Sequence, residues 1–346
     1  MLTVPDDELP DSPEKPPPAG LWPGQTIELP AGPVYVRFTG QAPAVGSPGS
    51  PGSPGEPGQL GELVLLVHGL GGSSTNWTDL MEHLTASRQF SCVAVDLPGF
   101  GFSPPPPDSD YTVLAHARTI ISLIEHLSQA PAHLVGNSMG GAVVTKVAAL
   151  RPDLVSTLTL ISPALPDLRP RLLPLRLAVV AAPGVGRVLL ERIGKQPAAG
   201  RTDLSVSELF YDPELMHPLR RDQEVAEVIR RDGLDYANDA LRLSARSLVA
   251  EYLRVGRRSL WRDAEAVSAP ALIVHGSADR LVNPVMAVKA ARTFAAARVV
   301  ILPGVGHVAM MEQPLPVASE IQTFLDWVRD AGSDVDGRHV MNRVRC

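Results

Sequence analysis

The chain has 346 residues, 45% of them hydrophobic, and a net charge of −6. That is enough apolar material for one large domain or two ordinary ones. Both signs of charge are interspersed and aromatic residues make up only 5%, so neither a cationic face nor a base-stacking surface for nucleic acid is expected.

The chain opens MLTVPDDELPDSPEKPPP, acidic and proline-rich, without the basic start or apolar stretch of a secretory signal. Residues 1–24 carry too few large apolar side chains to offset the entropy of ordering and are expected to be disordered. A strand-like segment follows at 34–39. Three Ser-Pro-Gly repeats at 43–58 then read as a flexible solvated loop, an enlarged hairpin connection to the next strand. Short apolar runs come next at 63–67, 91–96, 133–135, 158–161, 271–274 and 299–301. They are nearly continuous rather than alternating, as expected of strands covered on both faces of a parallel sheet. Helical patterns fall between them, at 111–127 (Leu114, Ile121 and Ile124 at helical spacing) and at 142–150. The alternation predicts an α/β fold with a doubly wound, mostly parallel sheet.

The alternation stops between 165 and 263, a stretch rich in Arg, Leu and Ala with helical periodicity over 234–255. It predicts a helical cap inserted above the carboxyl ends of the strands, where open α/β sheets bind ligands. The core is therefore expected from 25–164 and 264–330, with a loose tail at 331–346. No membrane span is expected: the nearest candidate, 175–190, is broken by Arg176, Pro183, Gly184, Gly186 and Arg187. Two cysteines, Cys92 inside an apolar run and Cys346 at the end, give no disulfide framework or metal cluster and point to a cytoplasmic location.

The motif that carries most chemistry is Gly136-Asn137-Ser138-Met139-Gly140, a G-x-S-x-G between an apolar strand and an Ala/Val helix. A serine on a sharp strand-to-helix turn has strained backbone, and side chains two residues away on either side would clash; glycines there relieve both. A serine hydroxyl needs a base within reach. His307, in Leu302-Pro303-Gly304-Val305-Gly306-His307 after the last predicted strand, lies at the correct edge of the sheet. Asp279, directly after another apolar strand, suits the residue that orients the imidazole, although a turn carboxylate reads the same way. The order Ser, Asp, His is the one this strand–turn–helix elbow uses. For the developing oxyanion, the glycine-rich turn His68-Gly69-Leu70-Gly71 offers the Leu70 N–H, and Met139 offers a second. His68 and Asp96 read as organisers of their turns rather than as catalysts. Trp77 and Met310 are candidate pocket-lining residues, with ordinary core packing as the competing reading.

The four stretches His68-Gly69-Leu70-Gly71, Asp96-Leu97-Pro98-Gly99-Phe100-Gly101, Gly136-to-Gly141 and Gly306-His307 together resemble the α/β-hydrolase superfamily over about residues 60–330. The resemblance implies Ser138, Asp279 and His307 as a catalytic triad, Leu70 and Met139 as the oxyanion hole, and no metal or organic cofactor. The partner it implies is a small-molecule ester or acyl substrate. The elbow is similar to that of meta-cleavage-product hydrolases, which cut C–C bonds. Those enzymes place Trp after the catalytic His, where this chain has Val308, and use a cap arginine, for which Arg242, Arg246 and Arg254 are available. The segment after His307 is similar to that of capped, monoacylglycerol-lipase-like esterases, which ranks ester hydrolysis first and C–C hydrolysis second. A perhydrolase or acyltransferase on the same acyl-enzyme, and a binding protein that has lost turnover, are the further alternatives.

Overall fold

The computed structural model describes residues 20–40, 61–86, 89–128, 130–167, 172–254, 256, 259–333 and 344–345. Expectations for residues 1–19, for the loop at 43–58 and for 334–343 lie outside the described residues.

Among the described residues nine strands form one sheet in the order β1-β2-β4-β3-β5-β6-β7-β8-β9. They are β1 (Gly24–Ile27), β2 (Val34–Phe38), β3 (Glu62–Val67), β4 (Phe90–Val95), β5 (Ala132–Asn137), β6 (Val155–Ile161), β7 (Ala271–Gly276), β8 (Ala297–Leu302) and the short β9 (Val344–Arg345). The β1–β2 and β2–β4 pairs are antiparallel; every other pair is parallel. The six predicted apolar runs each became one of the strands β3 to β8.

The structure corrects three expectations. β2 and β3 do not form a hairpin: β2 pairs with β4, Val36 opposite Val95. The reason is burial. The last four residues of β3 are buried, so it takes neighbours on both edges, β4 and β5, while β2 serves the sheet's antiparallel end. Order also begins before residue 25. Trp22 donates its indole N–H to Thr78 O at 3.0 Å and its carbonyl accepts from Arg37 Nη1 at 2.6 Å, so one large aromatic ties this stretch to the core. At the other end the tail is not loose throughout, since the last helix runs to Ser333 and β9 pairs with β8.

Helices cover both faces of the sheet. On one lie α2 (Val113–Leu127) and α3 (Met139–Leu150), whose Ile120, Leu123 and Val143 join a buried cluster with Leu65 and Leu134. Thr112 starts α2 by accepting from Ala115 N–H, as an N-cap should. On the other face, α1 (Thr78–Thr85) and α12 (Pro314–Ser333) bury Leu80, Met81 and Phe324 against Val64 and Leu66. Between β6 and β7, among the described residues, the chain forms α4 (Leu172–Ala181), α5 (Val185–Gly194), α6 (Ala198–Leu209), α7 (Pro218–Asp232) and α8 (Ala237–Leu253). α9 (Leu260–Ala266) returns to the sheet and is tied to α3 by the Lys146–Asp263 ion pair. α10 (Val285–Thr293) and α11 (Ala309–Glu312) complete the helices. Among the described residues no helix is long and apolar enough to cross a membrane.

The strand order fixes where a ligand can sit. From β3 the chain steps outward to β4, then returns to place β5 on the other side of β3. Val67 therefore lies opposite Gly136, and the loops leaving β3 and β5 border the crevice where the order reverses.

Candidate active site

Ser138 occupies the bend between β5 and α3 with φ 51° and ψ −116°. A left-handed φ is costly for a non-glycine residue, so the surroundings must enforce it. They do. Ser138 N–H donates to Ile161 O at 3.1 Å, and Ser138 O accepts from Ala164 N–H at 2.9 Å. The flanking glycines are required by contact: a Cβ on Gly140 would fall 2.1 Å from Val67 O, and one on Gly136 would fall 2.6 Å from Gly140 O. The elbow that the spacing implied is thus pinned between two neighbouring strands.

His307 and Asp279 meet directly. Nδ1 of His307 donates to Asp279 Oδ2 at 2.9 Å, and both side chains are buried. The ring is thereby fixed as the Nδ1–H tautomer, which leaves Nε2 able to accept a proton. The other carboxylate oxygen of Asp279 accepts from the Leu281 and Val282 amides at 2.8 and 3.0 Å. Burial pushes this carboxyl up, but the charge and hydrogen bond of His307, with His275 also contributing, outweigh it and hold the group at about 2. His275 Nδ1 lies 3.7 Å from the same oxygen. The acid is therefore ionised throughout the neutral range, with an imidazole on two sides.

Asn137, next to Ser138 in sequence, reaches the backbone of His307: its Nδ2 donates to Ile161 O at 3.1 Å and to His307 O at 3.3 Å. The hydrogen bonds among the described residues do not include one from the serine hydroxyl to the ring.

The turn after β3 lies against Ser138: a Cβ on Gly69 would come 3.2 Å from Ser138 Cβ. Leu70 follows immediately. Met139 opens α3, so its N–H belongs to the first turn that has no intrahelical acceptor. His68 organises this turn, as expected. Nδ1 donates to Gly69 O at 2.7 Å and Nε2 accepts from Leu97 N–H at 3.0 Å. Burial lowers its imidazolium to about 4, leaving the ring neutral. Asp96 does the same for the next turn, accepting from the Ser74 and Phe102 amides at 2.6 and 2.8 Å.

Trp77 and Met310 are 0% and 1% exposed and belong to the cluster packed between the sheet, α1 and α12. Core packing describes them. Nor do the three cap arginines named from the sequence converge on Ser138: Arg242 pairs with Asp239, Arg254 with Glu251, and Arg246 donates to Ala181 O.

The sequence reading passed over Glu312. The residue is 4% exposed. One oxygen accepts from Gly306 N–H at 2.6 Å and the other from the Tyr211 and Asp212 amides at 3.0 Å each. His307 N–H donates to Leu209 O at 2.7 Å, and Arg280, next to Asp279, donates to Ser207 O at 2.7 Å. The segment ending α6 is therefore bolted to the loops that carry both His307 and Asp279. Two of the three amides that Glu312 accepts from, those of Tyr211 and Asp212, lie about a hundred residues away, where no local motif announces them.

A family model described as the alpha/beta hydrolase fold matches residues 62–314. The dihydrolipoyllysine-residue acetyltransferase component of an acetoin cleaving system from Pseudomonas putida is 31% identical over 276 residues, 76% of this chain, and the chain spans 63% of that protein's length. Esterase Rv0045c from Mycobacterium tuberculosis is 27% identical over 264 residues, covering 76% of this chain and 82% of the esterase. Among solved structures, a thermophilic esterase from Thermogutta terrifontis with malate bound is 26% identical, with a TM-score of 0.62, covering 88% of this chain and 99% of the esterase. The family match takes in strands β3 to β8 and the helices between them, and the chain belongs to the family of the α/β-hydrolase fold.

Proposed function

We propose that this chain hydrolyses carboxylic esters through an acyl-enzyme on Ser138. The observation that carries the reading is the buried His307–Asp279 hydrogen bond beside a serine held on strained backbone. Nε2 of His307 takes the hydroxyl proton as Ser138 Oγ attacks the ester carbonyl. Asp279, already ionised, stabilises the imidazolium that forms. The Leu70 and Met139 amides hold the oxyanion, the positive end of α3 adding to them. The imidazolium then returns the proton to the leaving alcohol. Water, deprotonated by the same ring, releases the acid. The serine–imidazole hydrogen bond closes as substrate enters, a common change from an unliganded site. The substrate is a small molecule.

The test is hydrolysis of p-nitrophenyl esters by the native protein and by Ser138→Ala. The variant should keep its fold by circular dichroism and lose at least three orders of magnitude in kcat. Near-native turnover by that variant would rule the mechanism out. C–C cleavage is the second reading, favoured by the Gly136-to-Gly141 hexapeptide. A vinylogous ketoacid turned over faster than any ester would put it first.

A further inference from the structure

One face of α7 reaches the turn that carries Leu70. Arg220, Glu224, Glu227 and Arg231 are spaced so that they share that face of the helix. Arg220 pairs with Asp79 at the start of α1, and Arg231 donates to Gly71 O at 3.3 Å. Between these ties, Glu224 Oε1 accepts from Asn76 Nδ2 at 3.1 Å and from Thr75 Oγ1 at 3.4 Å. Glu224 as a whole is half-buried, with its carboxylate end against the core.

The turn itself is closed by Gly72 N–H donating to Gly69 O at 3.1 Å, with Gly71 at φ 77°. Leu70 is therefore a corner residue whose N–H takes no part in closing the turn. Two hydrogen-bond chains hold the far end of the turn, and both run from Ser73 to Glu224. In the first, Ser73 N–H donates to Asn76 Oδ1 at 3.1 Å, and the same side-chain amide donates onward to Glu224. In the second, Ser73 Oγ lies 2.7 Å from Thr75 Oγ1, which donates to Glu224. Asn76 Oδ1 also packs on the turn, since a Cβ on Gly72 would fall 2.2 Å from it.

An ionised carboxylate accepts hydrogen bonds and cannot donate them. With Glu224 at the end of both chains, Asn76 must present its nitrogen to α7 and its oxygen to Ser73. Thr75 must likewise spend its proton on Glu224 and accept from the Ser73 hydroxyl. One charge thus sets the direction of every bond in the network. Loss of water around the carboxylate, with the charge of Glu227, pushes its pKa up to about 7 against the pull of Arg231, Thr75 and Asn76. Charges on the neighbouring elements are engaged elsewhere. Asp79 pairs with Arg220, Arg201 and Asp203 of α6 pair with Asp232 and Arg221, and Asp96 accepts from the Ser74 and Phe102 amides.

We propose that Glu224 is a positioning residue for the oxyanion turn: its carboxylate orders both chains from Ser73 and so holds the Leu70 N–H toward the reacting carbonyl. The inference rests on the ester-hydrolase reading above and adds a group on α7 that governs the same site. The ionised form holds the turn. Protonation lets the acid donate, which removes the demand on Asn76 and Thr75 and loosens it.

The test uses the full chain, p-nitrophenyl acetate, and the variants Glu224→Ala and Glu224→Gln. Removing an oxyanion donor outright costs roughly 10²–10³ in kcat, so a donor kept but loosely held should cost roughly ten- to a hundredfold. Glu224→Ala should lower kcat by that factor with little change in KM. Glu224→Gln keeps an acceptor oxygen and should recover part of the rate. The ratio of native to Glu224→Gln kcat carries the pH signature, because every ionisation common to both proteins cancels in it. That ratio should be full well above neutral pH and shrink as pH falls through about 7. Hydrogen exchange gives a readout apart from turnover: residues 69–76 should exchange faster in Glu224→Ala, and residues 300–312 should not. A kcat ratio that is flat across that pH range, a native-like kcat in Glu224→Ala, or exchange at 69–76 indifferent to the substitution overturns the proposal. Should Glu224→Ala fail to fold, the Glu224→Gln ratio decides alone. If the native chain hydrolyses no ester while exchange at 69–76 still responds to Glu224, the ester reading falls and the hold of α7 on the turn stands.

Discussion

Replacing Asp279 with asparagine preserves shape and removes the charge behind His307. Asparagine Oδ1 can still accept from the Leu281 and Val282 amides, so the loop keeps its geometry. The other arm changes. Its Nδ2 can only donate to His307 Nδ1, which forces the ring proton onto Nε2, the atom that receives the serine proton in the proposed mechanism. The lost charge has its own magnitude. A carboxyl held at about 2, against its usual 3.8, has its charged form stabilised by about 2 kcal/mol at 1.36 kcal/mol per pH unit. If the forming imidazolium loses that much, kcat falls roughly 30-fold. The wrong tautomer takes the total loss to about 10³–10⁴-fold. Steady-state kcat on p-nitrophenyl acetate at pH 7.5 reads this directly, and a variant within tenfold of native would refute the assigned role. The same carboxylate makes a pH statement. Its folded pKa lies below its unfolded one, so its stabilisation is fully present above about pH 4 and is lost as pH falls through about 2. Acid unfolding of the native chain should show that loss between pH 4 and 2, and Asp279→Asn should lack it.

Two further substitutions test the frame around the site. Glu312→Ala leaves the Gly306, Tyr211 and Asp212 amides without their acceptor, at about 1–3 kcal/mol for each donor left buried. It should lower kcat by ten- to a hundredfold with a smaller change in KM, and Glu312→Gln should recover part of the rate; equal losses in kcat and kcat/KM for a distant destabilising control would assign the effect to folding instead. Gly140→Ala places a methyl 2.1 Å from Val67 O, a backbone atom that cannot swing away. Thermal melts should show a drop of more than 10 °C or no folded protein, and a native-like melt would mean that the elbow tolerates more room than its contacts suggest.

Much of the site was legible because its constraints are local. The glycines around Ser138 answer to contacts within one bend and one neighbouring strand, and a period of apolar runs separated by helices leaves few topologies open. His68 and Asp96 were readable as turn organisers for the same reason: each satisfies amides or carbonyls of adjoining turns. What escaped depends on contacts distant in sequence. The pairing of β2 with β4 follows from the demand of β3 for two parallel neighbours, which a hairpin-like spacing conceals. Glu312 sat in plain view inside the motif after His307, yet two of its amide partners, Tyr211 and Asp212, follow the end of α6. Trp77 and Met310 show the converse, since large apolar residues near a site by sequence are packed in the core.

The most direct test of the account is intact-protein mass spectrometry after brief exposure to a fluorophosphonate. One adduct should form, map to Ser138, and appear at least a thousandfold more slowly in His307→Ala. An unmodified protein, a label on another residue, or a labelling rate indifferent to the loss of the imidazole would contradict it.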